Sequence, residues 1–160
     1  MFLKRAYIQC CKCVTTRLTY WCFCEIHILT VYFELKTRSI SQYLSRDLPY
    51  ELSANDVYLT SGCAQAIEVV CSALARHGAN ILLPRPGYLF YEARAVFNGM
   101  EARYFDLVPE RGWEVDLDGL QALGDGNTVA MVIVNPGNPC GNVYTYEHLG
   151  KASAWFMDHA

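Results

Sequence analysis

Charge is scarce in this sequence. Its 160 residues hold 13 Lys/Arg and 16 Asp/Glu, for a net charge of −3. A polyanionic partner such as nucleic acid calls for a basic surplus, and there is none. The familiar nucleotide-binding signatures are also missing. No G-x-x-x-x-G-K-[ST] and no G-x-G-x-x-G occurs, which removes the Walker and dinucleotide readings. No apolar run suits a membrane. The best candidate, Thr19 to Phe33, contains Glu25 and His27 and is shorter than the ~20 residues a spanning helix needs. No clean signal peptide opens the chain. The expectation is a cytoplasmic protein with no membrane and no nucleic-acid partner, large enough for one ordinary domain with a buried core.

What is present is unevenly distributed. Met1 to Ile40 carries six Lys/Arg against two Glu, and the remainder carries seven against fourteen Asp/Glu. Cys10, Cys11, Cys13, Cys22 and Cys24 fall early, and only Cys63, Cys71 and Cys140 follow. Two unlike pieces are expected: a poorly specified Cys-rich segment over residues 1–38 and an ordered α/β piece over 39–160. In the first piece Val14, Thr15, Thr16, Thr19, Tyr20, Ile26, Ile28, Val31 and Tyr32 are residue types that favour strand, without regular alternation. Cys11-x-Cys13, Cys22-x-Cys24 and His27 supply soft ligands. Structural zinc sites space paired cysteines by two to four residues, however, so no metal is expected. Reduced thiols are expected too, because nothing points to a secretory setting.

From about Ser39 the pattern is regular. Asp56 to Thr60 reads as a short strand and Cys63 to Arg76 as a helix, with Ile67, Val70, Cys71 and Leu74 on one face and Gly78 as its stop. Asn80 to Leu83 reads as a buried strand closed by "PRPG", Pro84 to Gly87. Tyr88 to Phe97 reads as a helix ended at Gly99, and Ala102 to Leu107 as a strand. Asp116 caps a helix to about Leu123, Val129 to Val134 is an apolar strand, and Thr145 caps a final helix with Glu147 in its first turn. Strands alternating with helices, apolar without alternation, predict a mainly parallel sheet with helices on both faces. Ligands of such sheets sit at the carboxyl ends of the strands.

Three stretches fall at those ends. "TSGCAQAI" is a strand-to-helix turn whose glycine lets backbone approach a ligand, at a helix N-terminus suited to an anion. The same Ser-Gly can also serve capping alone. "PRPGYLFY" sets Tyr88 just past a strand. Its ring can stack on a flat ligand, or it and Tyr91 can simply pack the start of the helix. "NPGNPCG" ends a strand at Pro136. Gly137 and Gly141 permit unusual backbone angles, and Pro136 and Pro139 stiffen the turn. Such rigidity is more than a connection needs, and it presents the Asn138 amide as a donor.

Together, "LSRDLPYELSANDVYLTSGCAQAIEVV", "ILLPRPGYLFYEARAVFNGMEARYFDLVPERGWEVDLD" and "NTVAMVIVNPGNPCGNVYTYEHL" resemble fold-type-I pyridoxal-phosphate aminotransferases of class I/II. Within these they are most similar to the plant tyrosine and nicotianamine aminotransferase group. The resemblance covers about residues 39–151. It implies part of an aminotransferase large domain and pyridoxal 5′-phosphate as cofactor. An amino acid and a 2-oxo acid would be the substrates, and the family assembles as a homodimer. It implies that Gly62, Cys63 and Ala64 hold the cofactor phosphate through backbone N–H groups, that Tyr88 stacks on the pyridine ring, and that Asn138 donates to the ring's 3′-oxygen.

In the family, an aspartate for the ring nitrogen, the lysine that forms the Schiff base and a substrate-gripping arginine come after the matched segment. The chain ends at Ala160, and its lysines are Lys4, Lys12, Lys36 and Lys151, none in the family's Ser-x-Ser-Lys setting. The expectation is no catalytic residue and no transamination by this chain, with the amino-acid preference left undefined. Two other readings stay open: a non-catalytic fragment that binds a phosphate-bearing ligand or pairs through an open sheet edge, and a mis-predicted gene product with unnatural ends.

Overall fold

The computed structural model describes residues 26–46 and 48–159. The five early cysteines and the strand-favouring residues Val14 to Tyr20 lie outside the described residues. The described residues form two units that divide between Ser61 and Gly62.

The first unit is built on helix α1, Ile26–Ser45. This corrects the strand expectation at Ile26, Ile28, Val31 and Tyr32. β-branched and aromatic residues cost a helix only a few tenths of a kcal/mol each, and without alternation no sheet face exists to reward an extended chain. Serine and threonine hydroxyls fold back onto the helix, Thr37 Oγ1 onto the Phe33 carbonyl at 3.1 Å and Ser39 Oγ onto Leu35 at 2.9 Å. Ser45 Oγ accepts the Leu52 N–H at 2.8 Å, turning the chain at the end of the helix.

The strand expected at Asp56 to Thr60 is absent among the described residues. A 3₁₀ turn, Ala54–Asp56, takes its place. The Asp56 carboxylate accepts from both Ser53 N and Ser53 Oγ, at 2.8 and 2.7 Å. That local bonding bends the backbone before a ladder can start.

The second unit carries the sheet. Its elements run α2 Cys63–Leu74, β1 Asn80–Arg85, α3 Phe90–Phe97, β2 Glu101–Val108, β3 Glu114–Val115, α4 Leu117–Leu120, β4 Thr128–Met131 and α5 Tyr146–His159. The sheet order is β3-β2-β1-β4. β1 pairs parallel with both β2 and β4, and β3 is antiparallel to β2.

β1 runs past its expected end through Pro84 and Arg85, opposite Phe105 and Asp106 of β2. Proline is tolerated because the pairing to β4 already stops at Leu82↔Met131. The missing N–H therefore removes no ladder bond on that side. β3 was not foreseen, since two residues carry no readable period. It forms because a 3₁₀ turn, Pro109–Arg111, followed by left-handed backbone at Gly112 (φ 67°) and Trp113 (φ 64°), reverses the chain. The helix expected to reach Leu123 stops at Leu120. Thr145 caps α5 as expected, its Oγ1 accepting the His148 N–H at 3.1 Å.

Strand alternation sends side chains to two cores. Ile81 and Leu83 join Ile67 and Cys71 of α2 and Tyr91 and Ala95 of α3 on one face. Leu82 joins Phe105, Leu107, Val115, Leu120 and Tyr144 on the other. Each fully buried Ile, Leu or Phe contributes roughly 1.5–3 kcal/mol. At the amino ends of the strands, Asn80 Nδ2 donates to Asp125 Oδ1 at 2.9 Å and Thr128 Oγ1 donates to Asn80 Oδ1 at 2.8 Å. Arg103 donates to Asp125 Oδ2 at 2.7 Å.

Candidate functional site at the carboxyl end of the sheet

α2 leads into the amino end of β1, so its own N-terminus lies at the opposite, carboxyl end of the sheet. Tyr88 follows β1, and Asn138 follows the parallel β4. Topology therefore brings Gly62, Cys63, Ala64, Tyr88 and Asn138 to one end.

Gly62 is the N-cap residue of α2 with φ 84° and ψ 174°. A Cβ added there would meet nothing within 4 Å, so the requirement for glycine is conformational rather than spatial. Gly62 and Ala64 are exposed, while the Cys63 side chain packs against the α2–α3 core. Backbone, not thiol, is what this turn offers. The N-terminus of a 12-residue helix adds its partial positive charge.

Tyr88 keeps 43% of its surface exposed. Its ring lies 6.2 Å from Phe90 at 24° and meets Tyr91 edge-on at 6.1 Å. It packs the start of α3 and still presents area to a ligand, so the two readings of this residue are compatible. The preceding turn is tight: a Cβ on Gly87 would run into the Pro84 carbonyl oxygen.

Asn138 is exposed on a turn closed by two backbone bonds. Gly137 N donates to Asn142 O at 2.8 Å, and Gly141 N donates to Gly137 O at 2.9 Å. The two glycines serve different ends. Gly141 has φ 73°. Gly137 does not share that left-handed backbone, and its reason is space, because a Cβ there would collide with Asn142 Oδ1. The turn is anchored further by Asn135 Oδ1, which accepts Tyr144 N at 3.2 Å, and by Asn142 Nδ2, which donates to Trp113 O at 3.1 Å.

Sequence reading did not single out the pair at the ends of β1 and β2. Arg85 donates to both Asp106 oxygens, at 2.8 and 3.1 Å. These hydrogen bonds hold the Asp106 carboxyl below the usual carboxylate range. Both side chains are exposed, so the pair contributes little stability.

A nucleophilic lysine needs a depressed pKa. Lys151 shows the reverse, because a 2.8 Å contact with Glu147 raises it. Lys4 and Lys12 lie outside the described residues. Among the described residues, no three His, Cys, Asp or Glu side chains gather to hold a metal ion, and no helix is long and apolar enough to cross a membrane.

A model of the family described as "Aminotransferase class I and II" matches residues 30–159. The chain belongs to the class I and II aminotransferases. The match begins within α1 and reaches the end of α5, which is wider than the expected 39–151. Over 116 residues the chain is 64% identical to nicotianamine aminotransferase 1 of Oryza sativa subsp. japonica, covering 72% of this chain and 24% of the relative. It is 56% identical over 116 residues to an S-alkyl-thiohydroximate lyase of Arabidopsis thaliana, covering 72% and 25%. The crystal structure of a tyrosine aminotransferase from Leishmania infantum superposes with a TM-score of 0.72 at 33% identity, covering 77% of this chain and 31% of that one. The chain thus spans about a quarter of the length of the curated relatives it matches. Aminotransferases of this family act on amino acids and keto acids, use pyridoxal phosphate and are commonly dimeric.

Proposed function

We propose that this chain holds pyridoxal 5′-phosphate at the carboxyl end of its sheet, as the cofactor-binding part of an enzyme that moves an amino group from tyrosine or a similar amino acid to a 2-oxo acid. The observation that carries this reading is the gathering of three unlike groups at one sheet end: an exposed glycine turn at a helix N-terminus, a half-exposed aromatic ring and an amide on a closed turn. They match a phosphate, a flat heteroaromatic ring and a ring oxygen in chemistry. Backbone N–H groups of Gly62, Cys63 and Ala64 take the phosphate, the Tyr88 ring stacks on the heterocycle, and Asn138 Nδ2 donates to the 3′-oxygen. When bound, the cofactor supplies the electron withdrawal that labilises bonds at the amino-acid α-carbon. The relatives named nicotianamine aminotransferase support the amino-transfer chemistry, and the homodimer common in the family is proposed for the whole enzyme.

The 160-residue chain should bind the cofactor without sustained turnover, since none of its four lysines stands in the Ser-x-Ser-Lys setting of the family's Schiff-base lysine. Titration with pyridoxal phosphate, followed by cofactor absorbance, tests this. Gly62→Val should weaken binding severalfold, Asn138→Ala by about tenfold or more for a hydrogen bond to a charged oxygen, and Cys63→Ser little. Full affinity in Gly62→Val and Asn138→Ala together would remove the reading. Incubation with tyrosine and 2-oxoglutarate should yield no glutamate above a protein-free control. Because one relative bears a lyase name, an S-alkyl thiohydroximate belongs in the same assay.

A further inference from the structure

His148 is buried, at 7% exposure, in the first turn of α5. Its ring stacks on Tyr144 with centroids 5.6 Å apart and planes 17° apart. Its Nε2 accepts the Val115 N–H of β3 at 3.0 Å. An acceptor nitrogen must carry a lone pair, so the ring proton belongs on Nδ1, which lies 3.6 Å from Glu114 Oε2. A cheaper residue would fill this space, since a buried imidazole requires a satisfied partner.

The bond to Val115 is the first of a series. β3 is two residues long and pairs with β2 at Leu107↔Val115 and Val108↔Glu114, and on either side of it Trp113 N donates to Val108 O at 2.9 Å and Asp116 N to Asp106 O at 3.0 Å. Two residues back, Trp113 sits in left-handed backbone at φ 64°, and its carbonyl accepts from Asn142 Nδ2 at 3.1 Å. The Asn142 carbonyl in turn accepts Gly137 N at 2.8 Å, closing the turn that bears Asn138. So short a strand depends for its placement on contacts beyond its own ladder, and the His148 bond holds the face of Val115 that β2 does not reach.

We propose that His148 is a positioning residue for the Asn138 turn, acting through β3 and the side chain of Asn142. Its function in the reaction rests on the reading that Asn138 faces the cofactor. The relay itself concerns this chain alone.

The relay is tested on the full 160-residue chain without cofactor, by amide hydrogen exchange resolved to single residues and by ¹⁵N chemical shifts of the His148 ring. The native ring should show the Nδ1–H tautomer. His148→Leu should speed exchange at both Val115 and Gly137, each by about five- to tenfold, the loss of one hydrogen bond's protection. His148→Gln, whose Oε1 can accept the same N–H, should restore most protection at both. Asn142→Ala should speed Gly137 while leaving Val115 protected, and adding His148→Leu to it should cause no further change at Gly137. Slow exchange at Leu82 in each variant verifies that the sheet is intact. An Nε2–H tautomer in the native chain would overturn the proposal even if the variants failed to fold. So would unchanged Gly137 exchange in His148→Leu, or additive effects in the double variant. None of these readouts depends on pyridoxal phosphate, so failure of the cofactor reading would be seen separately, in the titration.

Discussion

At the residue scale, the turn that carries Asn138 separates two reasons for glycine. Gly137 is small because Asn142 Oδ1 occupies the place of a Cβ, whereas Gly141 is left-handed with open space around it. Gly137→Ala should cost ~1–3 kcal/mol through overpacking, and Gly141→Ala ~1–2 kcal/mol through backbone strain. In an Asn142→Ala background the first cost should shrink and the second should not, a coupling readable from chemical denaturation of the three single and two double variants. Equal coupling for both glycines would mean that space is not what constrains Gly137. The places of Gly62, Tyr88 and Asn138 in the fold were legible in the sequence, because Gly62 opens α2 and the other two follow β1 and β4. His148 and Asn142 were not. Their partners are 33 and 29 residues away along the chain, and no local pattern encodes such a contact.

At the element scale, the parallel core was legible because β1 and β4 are largely apolar, β2 carries Tyr104, Phe105, Leu107 and Val108, and helices with readable stops separate the strands. The reading failed where an element was too short for a period, as with β3. It failed also where side chains rather than propensity decided, as in the Ser53–Asp56 turn. It leaned to strand at Ile26, Ile28, Val31 and Tyr32 on residue type alone, with no alternation to support it, and these residues open α1. The polar group at the amino ends of β1 and β4 gives this layer a pH dependence. Hydrogen bonds from Arg103, then from the Asn127 N–H and from Asn80, hold Asp125 at about 2. The folded value is depressed, so its stabilising contribution is complete above the ordinary aspartate range and disappears as pH falls from there towards about 2. Asp125→Asn should therefore lower the melting temperature at neutral pH, with the gap to the parent narrowing as the pH is taken down through that window. A gap that stayed constant with pH would show that Asp125 acts by hydrogen-bond geometry alone.

At the scale of the whole molecule, β4 pairs with β1 on one side and, among the described residues, with no strand on the other. Val132 N donates to Leu82 O at 2.9 Å, so the groups of Met131, which stands opposite Leu82, face outward. Open edges recruit other chains. Sedimentation of the 160-residue chain should show association that grows with concentration, and Met131→Pro, which removes an outward N–H without touching the β1 ladder, should reduce it. A parent chain that remained monodisperse would dismiss the edge as the cause. The sheet also has two chemically distinct ends. The Asn80–Asp125–Thr128 group fastens the amino ends, while Gly62, Tyr88 and Asn138 occupy the carboxyl ends. Selection can then act on each end without much penalty at the other. Changes at those turns leave the fastening intact, so one folded body can carry different chemistry at its carboxyl end. An aminotransferase and a lyase at comparable identity to this chain are what such separability permits.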